Sequence, residues 1–170
     1  MKTLKEDFFD NLGISEETQI RDWLAEHNIT NYRLNKDFSI IVGGDVKIWA
    51  NELENGRLPE YIQFDKVNGN FSIYDMRLGG YYIHSLRGCP KTVTCNFEVY
   101  AKGLRSLEGG PQKVGLDFKC TFANELESLE HCPKEVGRDF ICYRTKRKFS
   151  LSQIKKYCKK IGGNIENTMD

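Results

Sequence analysis

The sequence predicts an α/β repeat solenoid, a stack of parallel β rungs between a helical N-terminal cap and a C-terminal capping helix. Three observations carry this. First, the stretch from Ile83 to Phe140 repeats one phrase three times: Ile83-His-Ser-Leu86-Arg-Gly-Cys89-Pro90, Leu104-Arg-Ser-Leu107-Glu-Gly-Gly110-Pro111 and Leu126-Glu-Ser-Leu129-Glu-His-Cys132-Pro133. Second, each copy runs on into Val-x-x-x-Phe, as Val93/Phe97, Val114/Phe118 and Val136/Phe140, and the prolines, second leucines and phenylalanines recur at 21 and then 22 residues. A fixed period in that range marks stacked units that cannot bury an apolar face alone. Third, the residues around each phenylalanine alternate apolar and polar, as a strand with one buried face requires.

Thr3-x-x-Glu6 is suited to a capping box, which puts Leu4, Phe8, Phe9 and Leu12 on one helical face ending at Gly13. A second helix is expected from Ser15, whose hydroxyl can cap free N–H groups, with Glu16 and Glu17 near the positive end of the dipole. Its apolar stripe is Ile20, Trp23 and Leu24, and Asn28 stops it. Asn31 to Val42 reads as two short strands around an Asn35-Lys36-Asp37 turn. Five rungs then follow, centred on Val46/Ile48, Phe71/Ile73, Phe97/Val99, Phe118/Cys120 and Phe140/Cys142, with Leu78-Gly-Gly-Tyr-Tyr82 as an insertion. Ser150 caps a last helix with Leu151, Ile154, Cys158 and Ile161 on one stripe, stopped at Gly162-Gly163 and serving as a lid. The expected division is residues 1–44 as cap, 45–149 as rungs, 150–163 as capping helix and 164–170 as a flexible tail.

At 170 residues the chain can bury one core without metal or disulfide help. A net charge of +1 with 29% charged residues gives no global steering field. No apolar run is long enough for a bilayer, and the opening Met1-Lys-Thr-Leu-Lys-Glu-Asp is too polar for a signal peptide, so the expectation is a cytoplasmic protein with no membrane partner. The six cysteines form no C-x-x-C pair. Four fall at repeat-equivalent places, Cys120 and Cys142 with Val99, and Cys89 and Cys132 with Gly110, so they are expected as reduced, buried small hydrophobes. Cys95 aligns with Leu116 and Arg138 and is expected to be the most exposed.

Once this register is set, Val-x-x-x-Phe-x-Val/Cys followed by Leu-x-Ser-Leu-x-Gly-x-Pro resembles the short leucine-rich repeat with a proline in its return segment. The asparagine that commonly closes the turn in such repeats has counterparts in Asn51 and Asn124. The wider pattern is similar to a family of small repeat proteins of tailed bacteriophages. The matching residues are Ile20-Arg-Asp-Trp-Leu24 before Asn28-Ile-Thr-Asn-Tyr32, Gly44-Asp45-Val46, the Leu-x-Ser-Leu-Glu-Gly units and the closing Phe149-Ser-x-x-x-Ile helix. That resemblance implies a phage-encoded protein acting in the host cytoplasm. It names no activity, since a fold hosts many functions.

Chemistry is sparse. His27, His84 and His131 are scattered, and the glycine pairs fit neither a P-loop nor a dinucleotide fingerprint. No catalytic residue, metal ligand or cofactor is therefore assigned. What remains is a surface. With Phe and Val/Cys/Ile inward, the alternate residues form three outward columns about 4.8 Å apart per rung. The first is Asp45, Asn70, Asn96, Asp117 and Asp139; the second is Lys47, Ser72, Glu98, Lys119 and Ile141; the third is Trp49, Tyr74, Tyr100, Thr121 and Tyr143. Four aromatics in register suit a binding hot spot, although tyrosine also has ordinary β-propensity. The Asp/Asn column has two readings as well, recognition or closure of the turn before each strand. The candidate protein-binding residues are Trp49, Tyr74, Tyr100, Tyr143, Lys47, Glu98, Lys119, Asp117 and Asp139.

A second candidate is basic: Arg144, Lys146, Arg147, Lys148, Lys155, Lys156, Lys159 and Lys160. Such a run suits phosphate or an acidic protein, or it complements a helix dipole and keeps a cap soluble. The expected function is a non-catalytic protein-binding module whose partner, on the phage resemblance, is a bacterial host enzyme or defence factor that it inhibits, for instance an ATP-dependent protease. The alternatives are a nucleic-acid-binding regulator using the basic C-terminal region and an accessory virion structural protein. The sequence does not set the oligomeric state.

Overall fold

A valine or isoleucine lies four residues before each inward residue that opens a strand of the second sheet, and this spacing divides the chain between two sheets. In the computed structural model, which describes residues 13–74, 82–100 and 102–168, the strands are β1 (Tyr32–Leu34), β2 (Ile40–Val42), β3 (Val46–Trp49), β4 (Phe64–Val67), β5 (Phe71–Tyr74), β6 (Thr92–Val93), β7 (Phe97–Tyr100), β8 (Lys113–Val114), β9 (Phe118–Thr121), β10 (Glu135–Val136), β11 (Phe140–Cys142), β12 (Lys160–Ile161) and β13 (Ile165–Asn167). One sheet has the order β1-β2-β4-β6-β8-β10-β12 and the other β3-β5-β7-β9-β11-β13. All pairs are parallel except β1 with β2. The described residues hold two α-helices, α1 (Glu16–Glu26) and α2 (Leu151–Tyr157), so the class is α/β with two parallel-rich sheets.

The register follows side-chain size. In the first sheet Val42, Val67, Val93, Val114, Val136 and Ile161 pair in series. In the second, Val46, Phe71, Phe97, Phe118, Phe140 and Ile165 do the same. The four central phenylalanines are 0% exposed, with ring centroids 5.6, 5.6 and 5.2 Å apart in succession. Burying each such ring contributes roughly 2–3 kcal/mol. In the sequence Val-x-x-x-Phe reads as one unit, but its two ends lie in different sheets.

Successive passes approach closely where the first sheet ends. A Cβ on Gly137 would lie 1.8 Å from the Gly115 carbonyl oxygen, and one on Gly162 would lie 2.1 Å from that of Gly137. Glycine is required there by contact rather than by φ. The segments returning to the first sheet are buried by Leu86, Leu107 and Leu129, and Ser85, Ser106 and Ser128 each accept the N–H two residues on, at 3.0–3.1 Å. Each then closes a turn from Leu86 to Cys89, Leu107 to Gly110 or Leu129 to Cys132 at 3.0 Å. The third turn position has positive φ, which glycine supplies at Gly88 and Gly109 and His131 adopts at 67°.

Helix α1 starts where expected, with Ser15 Oγ accepting the Thr18 N–H and Gln19, Ile20, Trp23 and Leu24 buried. Two expected boundaries change. Helix α2 ends at Tyr157, Leu151 is 59% exposed, and Ile161 is a strand residue, because Lys159 and Lys160 donate backbone N–H groups to the Lys134 carbonyl. Residues 165–167, expected as a tail, form β13 beside β11. Helix α2 thus links β11 to β12 and is not a terminal lid. At the other end, β2 pairs with β4, so the small β element belongs to the first sheet and not to a separate cap. The expected helix around Leu4 to Leu12 and most of the 78–82 insertion lie outside the described residues.

Candidate recognition surface

The second sheet presents its polar and aromatic residues away from the phenylalanine core, and the three columns have different fates. The first is a hydrogen-bond ladder. Asp45 Oδ1 accepts from Asn70 N at 2.7 Å, Asn70 Oδ1 from Asn96 N at 3.1 Å, Asn96 Oδ1 from Asp117 N at 3.1 Å, Asp117 Oδ1 from Asp139 N at 3.2 Å, and Asp139 Oδ1 from Asn164 N at 2.7 Å. In return, the Asn70, Asn96, Asp117, Asp139 and Asn164 carbonyls accept from Val46, Phe71, Phe97, Phe118 and Phe140 at 2.8–2.9 Å. Asp117 is 3% exposed, and Arg138 clamps both its oxygens at 2.6 Å. That bidentate pair holds the Asp117 carboxyl below the ordinary aspartate range. Asp117 therefore spends its acceptors on the Arg138 guanidinium and the Asp139 N–H, and Asp139 accepts the Asn164 N–H, which is the turn-closing reading of this column. The asparagine ladder runs through this column rather than through Asn51 and Asn124.

The third column is an aromatic ladder. Trp49 and Tyr74 have centroids 6.0 Å apart, Tyr74 and Tyr100 5.5 Å in a T-shape, and Tyr100 and Phe122 5.5 Å at 18°. Sequence alternation put Thr121 in this column. Phe122 supplies the ring instead, from a left-handed backbone at φ 57°. Arg144, the equivalent residue one pass later, is also left-handed at φ 52° and sets its guanidinium 4.6 Å over the Phe122 ring. At the other end, Lys47 Nζ lies 4.2 Å from the Trp49 centroid and 5.4 Å from that of Tyr74. All four rings are partly buried and partly open, and a cation caps each end of the row.

The second column serves the third. Tyr74 donates its hydroxyl to Glu98 at 3.0 Å, and Tyr143 donates to Glu166 in β13. Burial and the Glu98 carboxylate push the Tyr74 phenol up, and the Glu166 carboxylate does the same to Tyr143. Lys119 lies 3.7 Å from Asp117. Ile141, at 8% exposed, is covered. Tyr100, Thr121, Phe122, Tyr143, Arg144 and Thr168 enclose a cleft of about 320 Å³ at the end of the aromatic row. The Thr121 hydroxyl there is buried without a hydrogen-bond partner among the described residues.

The basic run does not form one site. Arg144 joins the aromatic row. Lys146 pairs with Glu127 at 3.2 Å, and Arg147 donates to the Glu127 carbonyl and covers Phe149 at 5.5 Å. Lys148 borders a separate cleft with Phe149 and Leu151. Lys155 and Lys156 end α2, with Lys156 4.8 Å over Tyr157, and Lys159 and Lys160 lie on the first sheet. Of the histidines, His27 stacks on Trp23 at 3.8 Å, His84 stacks on Tyr82 at 6.0 Å, and His131 occupies its turn. Among the described residues no group of three His, Cys, Asp or Glu is placed to hold a metal ion, and no helix is long and apolar enough to cross a membrane. All six cysteines are free thiols; five are buried and Cys95 is partly exposed.

Comparison with known proteins finds no matching family model, no matching curated protein and no matching solved structure.

Proposed function

We propose that the chain is a non-catalytic protein-binding module, built as a leucine-rich-repeat-like solenoid, that recognises its partner through the aromatic row Trp49, Tyr74, Tyr100 and Phe122 between Lys47 and Arg144. The observation that carries this reading is the unbroken ring-to-ring contact along an outward sheet face. Each ring is braced by its neighbours, and Tyr74 also by Glu98, so little side-chain entropy is lost on binding. Aromatic and arginine side chains dominate interface hot spots when held in this way. The backbone supports the same reading: left-handed φ at a phenylalanine and an arginine in consecutive passes is a local cost of the kind that gathers at functional positions. The solenoid assignment rests on the 21- and 22-residue spacing together with the serial valine and phenylalanine pairings. On the phage resemblance, the partner is a host enzyme or defence factor that the module restrains. Asp117 and Asp139 drop out of the proposed contact set because the ladder already uses them, and Lys119 because it pairs with Asp117.

The test is affinity capture from bacterial lysate with the full chain and with a Tyr74→Ala/Tyr100→Ala chain as bait. A protein retained by the first and lost by the second supports the reading. Equal retention of every captured protein by both baits overturns it.

A further inference from the structure

The near-neutral total charge conceals an uneven distribution between the two sheets. In the first sheet, the residue before each inward valine or isoleucine is Lys66, Thr92, Lys113, Glu135 or Lys160, and the one before that is Asp65, Lys91, Gln112, Lys134 or Lys159. Every pass from β4 to β12 carries at least one lysine, and these alternate between the two columns: Lys66, Lys91, Lys113, Lys134, then Lys159 with Lys160. Six lysines therefore face two carboxylates, Asp65 and Glu135, on a chain whose net charge is +1. Lys91 reaches Asp65 at 3.5 Å and Lys113 reaches Glu135 at 3.0 Å, whereas Lys134, Lys159 and Lys160 form no ion pair among the described residues. Lys91 and Lys134 border a groove of about 620 Å³ that also takes in Arg87 and His131, with Asp37 its one carboxylate. The groove crosses the passes, parallel to the lysine columns.

We infer that this first-sheet face binds the phosphate backbone of a nucleic acid without reading its sequence. The chemistry favours phosphate over an acidic protein surface. The ten positions hold no aromatic or aliphatic side chain, and lysine is depleted where protein interfaces are tightest. Lysine is a point-charge phosphate ligand. At least one cation per pass, on strands about 4.8 Å apart, gives a two-column array that extends across the sheet and suits a linear polyanion. None of the ten positions can stack on a base, so affinity comes from counterion release and is strongly salt-dependent. Of the charge run read at the C-terminal end of the sequence, only Lys159 and Lys160 belong to this array; Lys155 and Lys156 on α2 have no part in it.

The experiment uses the full chain, a fluorescent single-stranded oligonucleotide, a duplex of the same length and poly-glutamate of matched charge, with binding read by anisotropy. Wild type is expected to bind nucleic acid, with affinity falling at least tenfold between about 50 and about 200 mM salt, the fall expected for several phosphate contacts. Lys134→Glu/Lys159→Glu/Lys160→Glu should weaken binding more than tenfold and flatten the salt slope by about 2–3. The matching triple change to glutamine should fall between the two, and it keeps the test valid if the glutamate variant folds poorly. Lys155→Glu/Lys156→Glu should bind within twofold of wild type. Absence of salt-dependent binding, equal loss in the α2 control, or poly-glutamate bound as tightly as nucleic acid would each overturn the inference. None of these results depends on the aromatic row of the other sheet.

Discussion

Phe122 stacks on Tyr100 with ring centroids 5.5 Å apart and planes within 18° of parallel, although it reaches that place from a left-handed backbone. The ring contact contributes about 0.5–1.5 kcal/mol, and the backbone costs about 1–2 kcal/mol for a non-glycine residue. The two nearly cancel. Phe122→Gly is therefore expected to leave the urea midpoint close to wild type while removing the last ring of the row and weakening partner binding. A loss of more than about 3 kcal/mol in stability, the cost of an ordinary core phenylalanine, would show that Phe122 serves packing instead.

The ladder makes Asp117 a structural residue. Asp117→Ala is expected to cost about 3 kcal/mol, because it strips acceptors from the Asp139 N–H and from Arg138, whereas Asp117→Asn should cost about 1 kcal/mol. Asparagine already fills the same position at Asn70 and Asn96. Chemical denaturation of both variants checks the difference. The sign with pH follows from the depressed carboxyl. Its contribution is complete above the unfolded value of about 3.9 and disappears as pH falls through the lower folded value. Wild type should lose stability below about pH 4 more steeply than Asp117→Asn.

Thiol labelling tests the core register. Burial pushes the Cys132 thiol up to about 12 and raises those of Cys89 and Cys158, while the neighbouring Cys120 thiol and burial raise that of Cys142. The thiolate is the reactive form. In native protein at pH 8, Cys95 should label first and the five buried thiols only at the rate of unfolding. Rapid labelling of four or more would contradict the packing.

Gly137→Ala tests the close approach of successive passes. Its Cβ would meet the Gly115 carbonyl at 1.8 Å, a backbone atom that no rotamer change can move. The expected cost is about 2–3 kcal/mol in the denaturation midpoint. Gly44→Ala, with nothing within 4 Å of its Cβ, is the control and should be near neutral.

Much of this was legible in the sequence because identical side chains meet across parallel strands. The pairing of Val46 with Phe71 and onward to Phe140, and of Ile48 with Ile73 onward to Cys142, follows the spacing of the motif. Beyond β1 and β2, the first sheet was not legible, because two-residue strands such as Thr92–Val93 are too short to show alternation. The sixth pass was missed because the lysines around Cys158 continue the helical pattern of α2. Yet Gly163-Asn164-Ile165 repeats Gly44-Asp45-Val46 and Gly69-Asn70-Phe71, and that signal would have found it. In the site, Trp49, Tyr74 and Tyr100 followed from register. Phe122 did not, because period-two alternation cannot anticipate a left-handed residue just past the strand. The ladder role of Asp117 and Asp139 was one of two open readings, and only the hydrogen bonds separate them.

The protein recognition proposed above rests on the aromatic row. The most direct measurement is the affinity of the captured partner for wild type and for Tyr74→Ala/Tyr100→Ala, at low and at physiological salt, with circular dichroism of both chains. The expected result is a loss of about 2 kcal/mol or more, little changed by salt, in a variant whose fold is intact. Full-strength binding by a correctly folded double variant would contradict it.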